Sequence, residues 1–275
     1  MALGVVVIIG AFLGFNNKKP ADHKKENFGL FPTPTITATP KPKPVTVTDL
    51  NKKYGPCAKV PVLMFHHIET EAEAKLNHQT SLAVSPEYFA KDMEYLKIHG
   101  YTIITAKDLI NFFDFGAVLP KKPVMITLDD AYRDNYVNAF PILKQYGFKA
   151  TIFTPTGLVQ NPDYLTWQQI TEMSSSGLVY FANHTWSHHA SSGTLAVQDK
   201  EISLADTQLS ENGQNPDKVF AYPYGNPSVD AEKILSKYGY KLAFTTVSGN
   251  IQCKGRRLTL PRTRMGNAPL SHFGL

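Results

Sequence analysis

Three short runs of this 275-residue chain carry side chains whose types and spacing suit hydrolytic chemistry. The first is Thr127-Leu128-Asp129-Asp130, two adjacent carboxylates directly behind an apolar segment. Two acids side by side repel, and near an apolar core they coexist only with a cation or a proton; a helix cap or a solvated loop is the plain alternative. The second run is Asn183-His184-Thr185-Trp186-Ser187-His188-His189. If helical geometry begins there, His184 and His188 project from one face, as two imidazole ligands of one metal do, although surface histidines also occur at that spacing. His189 reads as a neighbour pointing elsewhere. The third run, Tyr222-Pro223-Tyr224-Gly225, fixes φ at Pro223 and can hold the following backbone N–H groups rigidly, which suits an oxyanion hole as well as a tight aromatic turn. His66 and His67 end another apolar run, and because side chains alternate along a strand at most one of them faces the same cleft.

Short β-branched runs alternating with amphipathic stretches place these groups. The runs at 60–65, 101–104, 123–127, 150–154, 178–182, 218–222, 241–247 and 257–262 read as strands. Between them, Ser85 with Pro86 opens a helix that stops at Gly100, Thr105 with Asp108 opens another, and Thr166 with Gln169 forms a capping box. Helices are also expected at 136–146, near 197–211 and after Ser228. Seven or eight βα repeats predict an α/β chain folded as a distorted (β/α) barrel rather than an open doubly wound sheet. Barrel enzymes carry their chemistry at the C-terminal ends of strands, where the three runs stand. No glycine-rich phosphate loop follows any strand, which disfavours nucleotide binding.

An apolar content of 43% supports one substantial core. The formal charge of +5 is spread along the chain, which argues for an anionic environment and against a nucleic-acid partner. Residues 1–16 read as an export signal or short membrane anchor, 17–56 as a spacer that is first Lys-rich and then Pro/Thr-rich, and 57–275 as the catalytic domain. Cys57 and Cys253 lack any C-x-x-C spacing, which excludes a thiolate metal site; one disulfide and two separate thiols are both open. No feature calls for an obligate protein partner.

Taken together and in this order, the strand ends resemble the NodB-type polysaccharide deacetylases of carbohydrate esterase family four over about residues 57–265. TLDDA stands where that family has T-F-D-D-G, HTWSH fits its H-S/T-x-x-H, and FAYPYG occupies the place of its R-x-P-Y segment. PVLMFHHI and LPRTR are similar to the subgroup that includes poly-N-acetylglucosamine deacetylases. The resemblance implies that Asp129 is the catalytic base and that Asp130, His184 and His188 hold a divalent metal, zinc first, with cobalt, nickel or manganese also accepted. It implies that the Tyr224 backbone N–H helps stabilise the oxyanion, with His66, Trp186, Pro223 and Arg262 near the substrate and Trp167 a further platform for a sugar ring. The expected activity is removal of N-acetyl groups from peptidoglycan or a poly-N-acetylglucosamine polymer, by an exported protein of the cell envelope.

Three departures stand out. Ala131 replaces the family glycine, Ala221 replaces the arginine that orients the base, and the general-acid segment L-x-H is matched only by Leu270-Ser271-His272 near the chain end, better read as a small docking helix. Arg262 or Arg264 is the expected substitute for the arginine. The departures also motivate an alternative, a carbohydrate-binding domain that keeps the fold without turnover; a barrel hydrolase acting on another amide is a third reading.

Overall fold

The computed structural model describes residues 46–189 and 192–275. The expected export segment and most of the expected spacer lie outside them. Residues Val47–Tyr54 form helix α1, opened by a reciprocal capping box between Thr46 and Asp49 that satisfies two otherwise orphaned backbone donors.

Strand β1 (Cys57–Lys59) precedes the first barrel strand, β2 (Val62–Phe65), and the short β3 (His67–Ile68). Helix α2 (Glu71–Leu76), β4 (Ala83–Val84), α3 (Pro86–Ile98), β5 (Thr102–Ile103) and α4 (Ala106–Phe115) lead to β6 (Pro123–Leu128). Then come α5 (Phe140–Tyr146), β7 (Ala150–Thr154), α6 (Trp167–Ser175), β8 (Val179–Asn183), α7 (Leu195–Glu211), β9 (Val219–Ala221) and α8 (Val229–Lys237). Strands β10 (Leu242–Ser248), β11 (Ile251–Cys253) and β12 (Leu260–Arg264) close the order.

Seven parallel strands form a closed ring in the order β2, β12, β10, β9, β8, β7, β6 and back to β2, with β5 attached outside β6. The expected distorted barrel of seven or eight strands is therefore found. Its strand ends all open at one mouth, as the placement of a site requires. Alternate side chains divide the core: Met125, Phe153, Ala182, Ala221 and Phe244 cluster together, while Leu63, Phe65, Ile126 and Ile152 pack with Phe89, Met93 and Ile170 of the helices.

Helix starts follow local chemistry. The Ser85 side chain accepts from the Tyr88 N–H with Pro86 in the first turn, and the capping boxes of Thr105 with Asp108 and Thr166 with Gln169 both form. Two expectations shift. The helix expected at 136–146 begins as a π-turn, Asn135–Ala139, because Pro141 has no N–H to continue an α-ladder through the junction. The last barrel strand starts three residues late, at Leu260, because Lys254–Arg256 coil into a 3₁₀ turn after β11.

Cys57 and Cys253 form a disulfide. They are direct register partners in the antiparallel β1–β11 ribbon, so the bond ties the first strand to a late one.

Candidate active site

Strand β6 delivers Asp129 and Asp130 to the mouth, where both are buried. The Asp129 N–H donates to the Phe65 carbonyl at 2.9 Å, keeping this residue in sheet register. The chain then passes through two successive left-handed residues, Asp130 (φ 73°) and Ala131 (φ 55°). This conformation is what the family glycine would relieve, and here the alanine methyl is fully buried in it. The reversal sends the two carboxylates to different partners.

Asp129 meets Arg262 of β12. Nη1 donates to Oδ1 and Nη2 to Oδ2, each at 2.6 Å, while Nε donates to the Thr245 carbonyl at 2.9 Å. Burial alone would raise the Asp129 carboxyl, but the Arg262 charge and its fork hold it below the usual carboxylate range. Arg262 is 0% exposed and its guanidinium lies over the Phe153 ring. That guanidinium is thus engaged by Asp129, the Thr245 carbonyl and the Thr127 hydroxyl, inside the barrel. Ala221 leaves the arginine's position empty on β9, and β12 supplies the charge from elsewhere in the ring. Arg264 is exposed and donates to the Ser81 carbonyl instead.

Asp130 meets the histidines. Its Oδ1 lies 3.3 Å from His184 Nε2 and 3.0 Å from His188 Nε2, yet this buried oxygen lacks a well-directed hydrogen bond. His184 Nδ1 is 2.7 Å from the Ala221 carbonyl, an acceptor that fixes the proton on Nδ1 and leaves the Nε2 lone pair free. The three ligand atoms lie within 4.8 Å of one another. Two imidazoles and one carboxylate converging on a buried oxygen without a directed donor fit a divalent cation, and three protein ligands leave room for water or substrate. Burial pushes Asp130 up, but its close contacts with His184 and His188 and their charge hold it well below the carboxylate range.

The two histidines do not converge by the helical spacing expected of them. Residues 184–189 form an irregular loop with Thr185 at φ 65° and His188 at φ 57°. The loop is braced by Glu201 of α7, which accepts from the Trp186 and Ser187 N–H groups and the Ser187 hydroxyl. Glu201 was not legible as a site residue, because it lies fourteen residues beyond Ser187 on a polar helix. Trp186 is half-buried and packs on Gly157, where any Cβ would stand 2.6 Å from the indole Nε1. Trp167 is partly buried against the helix-side core.

His66 and His67 diverge as strand alternation predicts. His66 Nε2 lies 3.9 Å from Asp129 Oδ2, whereas His67 Nδ1 is 2.6 Å from Asp134 and its ring stacks on Tyr132. Burial lowers the His66 imidazole, against the opposing pull of Asp129 and Asp130. At the third strand end Pro223 is buried, and Tyr224, at φ 60° and 65% exposed, stands at the mouth with its ring 4.8 Å from that of His188. Gly225 follows at φ 78°, where a side chain would collide with Thr246. His272 sits on the 3₁₀ turn Leu270–Phe273, in a cavity lined by Thr246, Ser248, Arg264 and Phe273. This is the short terminal helix expected.

Comparison with known proteins agrees with this fold. The family model for polysaccharide deacetylases matches residues 116–243. A Bacillus subtilis protein named as a polysaccharide deacetylase, YxkH, is 33% identical over 194 residues, covering 70% of this chain and 66% of its own length. The chain thus spans just under two thirds of that relative. A poly-beta-1,6-N-acetyl-D-glucosamine N-deacetylase of Staphylococcus epidermidis is 29% identical over 67% of this chain and 68% of its own. Among solved structures, the Streptococcus pyogenes deacetylase PplD, in complex with acetate, superposes with a TM-score of 0.70 at 30% identity, over 76% of this chain and 92% of that one. A barrel with these strand ends, matched along most of its described length, belongs to the polysaccharide deacetylase family.

Proposed function

We propose that the chain hydrolyses N-acetyl groups from a poly-N-acetylglucosamine-like glycan of the cell envelope, releasing acetate, with Asp129 as base and Asp130, His184 and His188 holding a divalent cation. The observation that carries this reading is the adjacency of two different carboxylates: one clamped by a buried arginine, the other facing two imidazoles. Zinc suits this ligand set, and cobalt, nickel or manganese are also accepted. The chemistry such a cation supplies when bound is Lewis acidity toward the acetamide carbonyl.

The remaining work belongs to the protein's own groups. Asp129 stays ionised through neutral pH because Arg262 favours its charged form, so it is always available to take the proton of the attacking water. The same clamp fixes its orientation, since both oxygens are held by one planar fork. The Tyr224 backbone N–H is assigned to the developing oxyanion, on a turn made rigid by Pro223 and by the Gly225 N–H bonded to the Tyr222 carbonyl. His66 and Trp186 are assigned to sugar contacts. The arginine missing at Ala221, which motivated a binding-only alternative, is answered by Arg262.

An exported protein is supported by the Cys57–Cys253 disulfide, because such bonds persist in oxidising compartments. Among the described residues no helix is long and apolar enough to cross a membrane. The test is acetate release from β-1,6-linked and β-1,4-linked N-acetylglucosamine oligomers, with zinc or cobalt and after chelation. Chelator-sensitive release from the β-1,6 oligomer is expected. Tight glycan binding without acetate from either oligomer or from peptidoglycan, under any of these metals, would sink the enzymatic reading.

A further inference from the structure

A second cluster of metal-ligating groups lies outside the site just described. His67, Glu69 and Asp134 each offer a ligand atom, and these atoms lie within 4.8 Å of one another. They line a polar cavity of about 340 Å³ together with Asn77, Arg133 and Asp163. His67 is 4% exposed and Glu69 6% exposed. His67 Nε2 and Glu69 Oε1 are both buried without a hydrogen-bond partner. An orphaned buried acceptor pays its desolvation without return, more so when charged, so a pair of them at one cavity calls for an occupant.

The hydrogen bonds already made define which occupant. Asp134 Oδ2 lies 2.6 Å from His67 Nδ1, and Oδ1 accepts from the Ile68 N–H at 2.8 Å and from Asn135 Nδ2 at 2.9 Å. A carboxylate on Nδ1 fixes the proton there and turns the Nε2 lone pair outward, the arrangement by which proteins orient a metal-binding imidazole. Glu69 Oε2 accepts only a long bond of 3.3 Å from Asn77, and among the described residues no ion pair reaches Glu69. Burial accordingly raises the Glu69 carboxyl. A buried carboxylate and an imidazole with a free lone pair, the imidazole oriented by a second carboxylate, suit a first-row divalent cation better than an anion or an apolar ligand.

We propose that His67 Nε2 and Glu69 bind a second divalent cation, separate from the one assigned to Asp130, His184 and His188, with Asp134 orienting the imidazole through its other nitrogen. Asp134 joins this site to the segment after β6 through its bonds to His67 Nδ1 and the Ile68 N–H. Tyr132 stands between the two sites: its ring stacks on His67, and the charge of Asp130 adds to burial in raising its hydroxyl. The inference rests on the cavity alone and stands whether or not the chain releases acetate.

The test is equilibrium dialysis of metal-stripped protein against Zn²⁺ or Mn²⁺, with bound metal counted by mass spectrometry. The wild-type chain should hold about two equivalents, His184→Ala/His188→Ala about one, and the same variant with Glu69→Gln added close to none. A folded His184→Ala/His188→Ala variant that binds neither metal would overturn the proposal. So would a retained equivalent that Glu69→Gln leaves in place. If the histidine variant does not fold, Glu69→Gln alone decides: a fall from about two equivalents to about one supports the site, and an unchanged count overturns it.

Discussion

The molecule contains two forked arginine–aspartate pairs of nearly the same geometry in opposite surroundings. Arg262 grips Asp129 at the barrel mouth with both side chains buried, 0% and 3% exposed. Arg257 grips Asp114 at 2.7 and 3.0 Å on the outside of the barrel, each side chain 23% exposed. The outer pair exchanges water for a salt bridge and gains little, because solvent screens it and remains an alternative partner. The inner pair has no such alternative. Removing either partner strands a charge where water cannot reach it, so the cost of disruption far exceeds the net worth of the pair. Forks of similar shape thus staple the surface in one place and hold a buried carboxylate of the candidate site in the other, and burial decides which.

The widest separation between the two pairs is in turnover. Asp129→Asn keeps the shape but cannot take a proton, and acetate release should fall by on the order of 10²–10⁴-fold while cation binding persists. Asp114→Asn should leave turnover unchanged. Comparable losses from both, measured on the same oligomer, would remove the distinction.

Stability separates them next. Arg262→Ala leaves the Asp129 carboxylate buried and unpaired and should cost about 3–5 kcal/mol in denaturant unfolding. Arg262→Lys should recover only part of this, because an ammonium cannot make the fork. A loss under about 1 kcal/mol would mean that water enters the barrel mouth to replace the guanidinium.

Sequence and structure diverge at the same place as the two forks. The barrel, its strands and most helix starts were legible because caps and alternation are local: Ser85, Thr105 and Thr166 each act within four residues. Asp129, Asp130, His184 and His188 were legible as strand ends. The choice of Arg262 over Arg264 was not, since it depends on which residue of β12 points inward after the 3₁₀ turn delays the strand. Nor was the route of the histidines. Their convergence comes from left-handed residues and from Glu201, a contact made across the fold, and not from helical periodicity. His67, Glu69 and Asp134 escaped for the same reason, being brought together from β3 and the segment after β6.

A smaller effect is expected at the outer fork, where pH reads it directly. The fork from Arg257 holds the Asp114 carboxyl below its usual 3.8, against a smaller opposing effect of burial. Its folded value is therefore below its unfolded one, so the stability it contributes is present above about pH 4 and is lost as pH falls through the folded value. Arg257→Ala should cost at most about 1 kcal/mol at pH 7 and should make no difference once Asp114 is protonated in both states. Unfolding midpoints of the two proteins that stay equally far apart down to pH 2 would show that Arg257 acts through packing.

The smallest expected effect lies between the inner fork and the candidate metal-ligating cluster, at Ala131. A left-handed backbone costs a non-glycine residue roughly 1–2 kcal/mol, and Ala131→Gly would relieve it. The same change removes a buried methyl, worth about 0.8 kcal/mol, and adds backbone freedom to the unfolded chain. These terms nearly cancel, so stability should move by less than about 1 kcal/mol in either direction. Turnover discriminates further. The Ala131 carbonyl accepts from the Leu165 N–H at 2.9 Å, which anchors the reversal whichever residue occupies it. The carboxylates should therefore keep their separate partners, and acetate release by Ala131→Gly should match the parent. A rise of tenfold or more would mean that the methyl holds Asp130 away from its best position, and that the reversal after β6, rather than the Arg262 fork, limits the site.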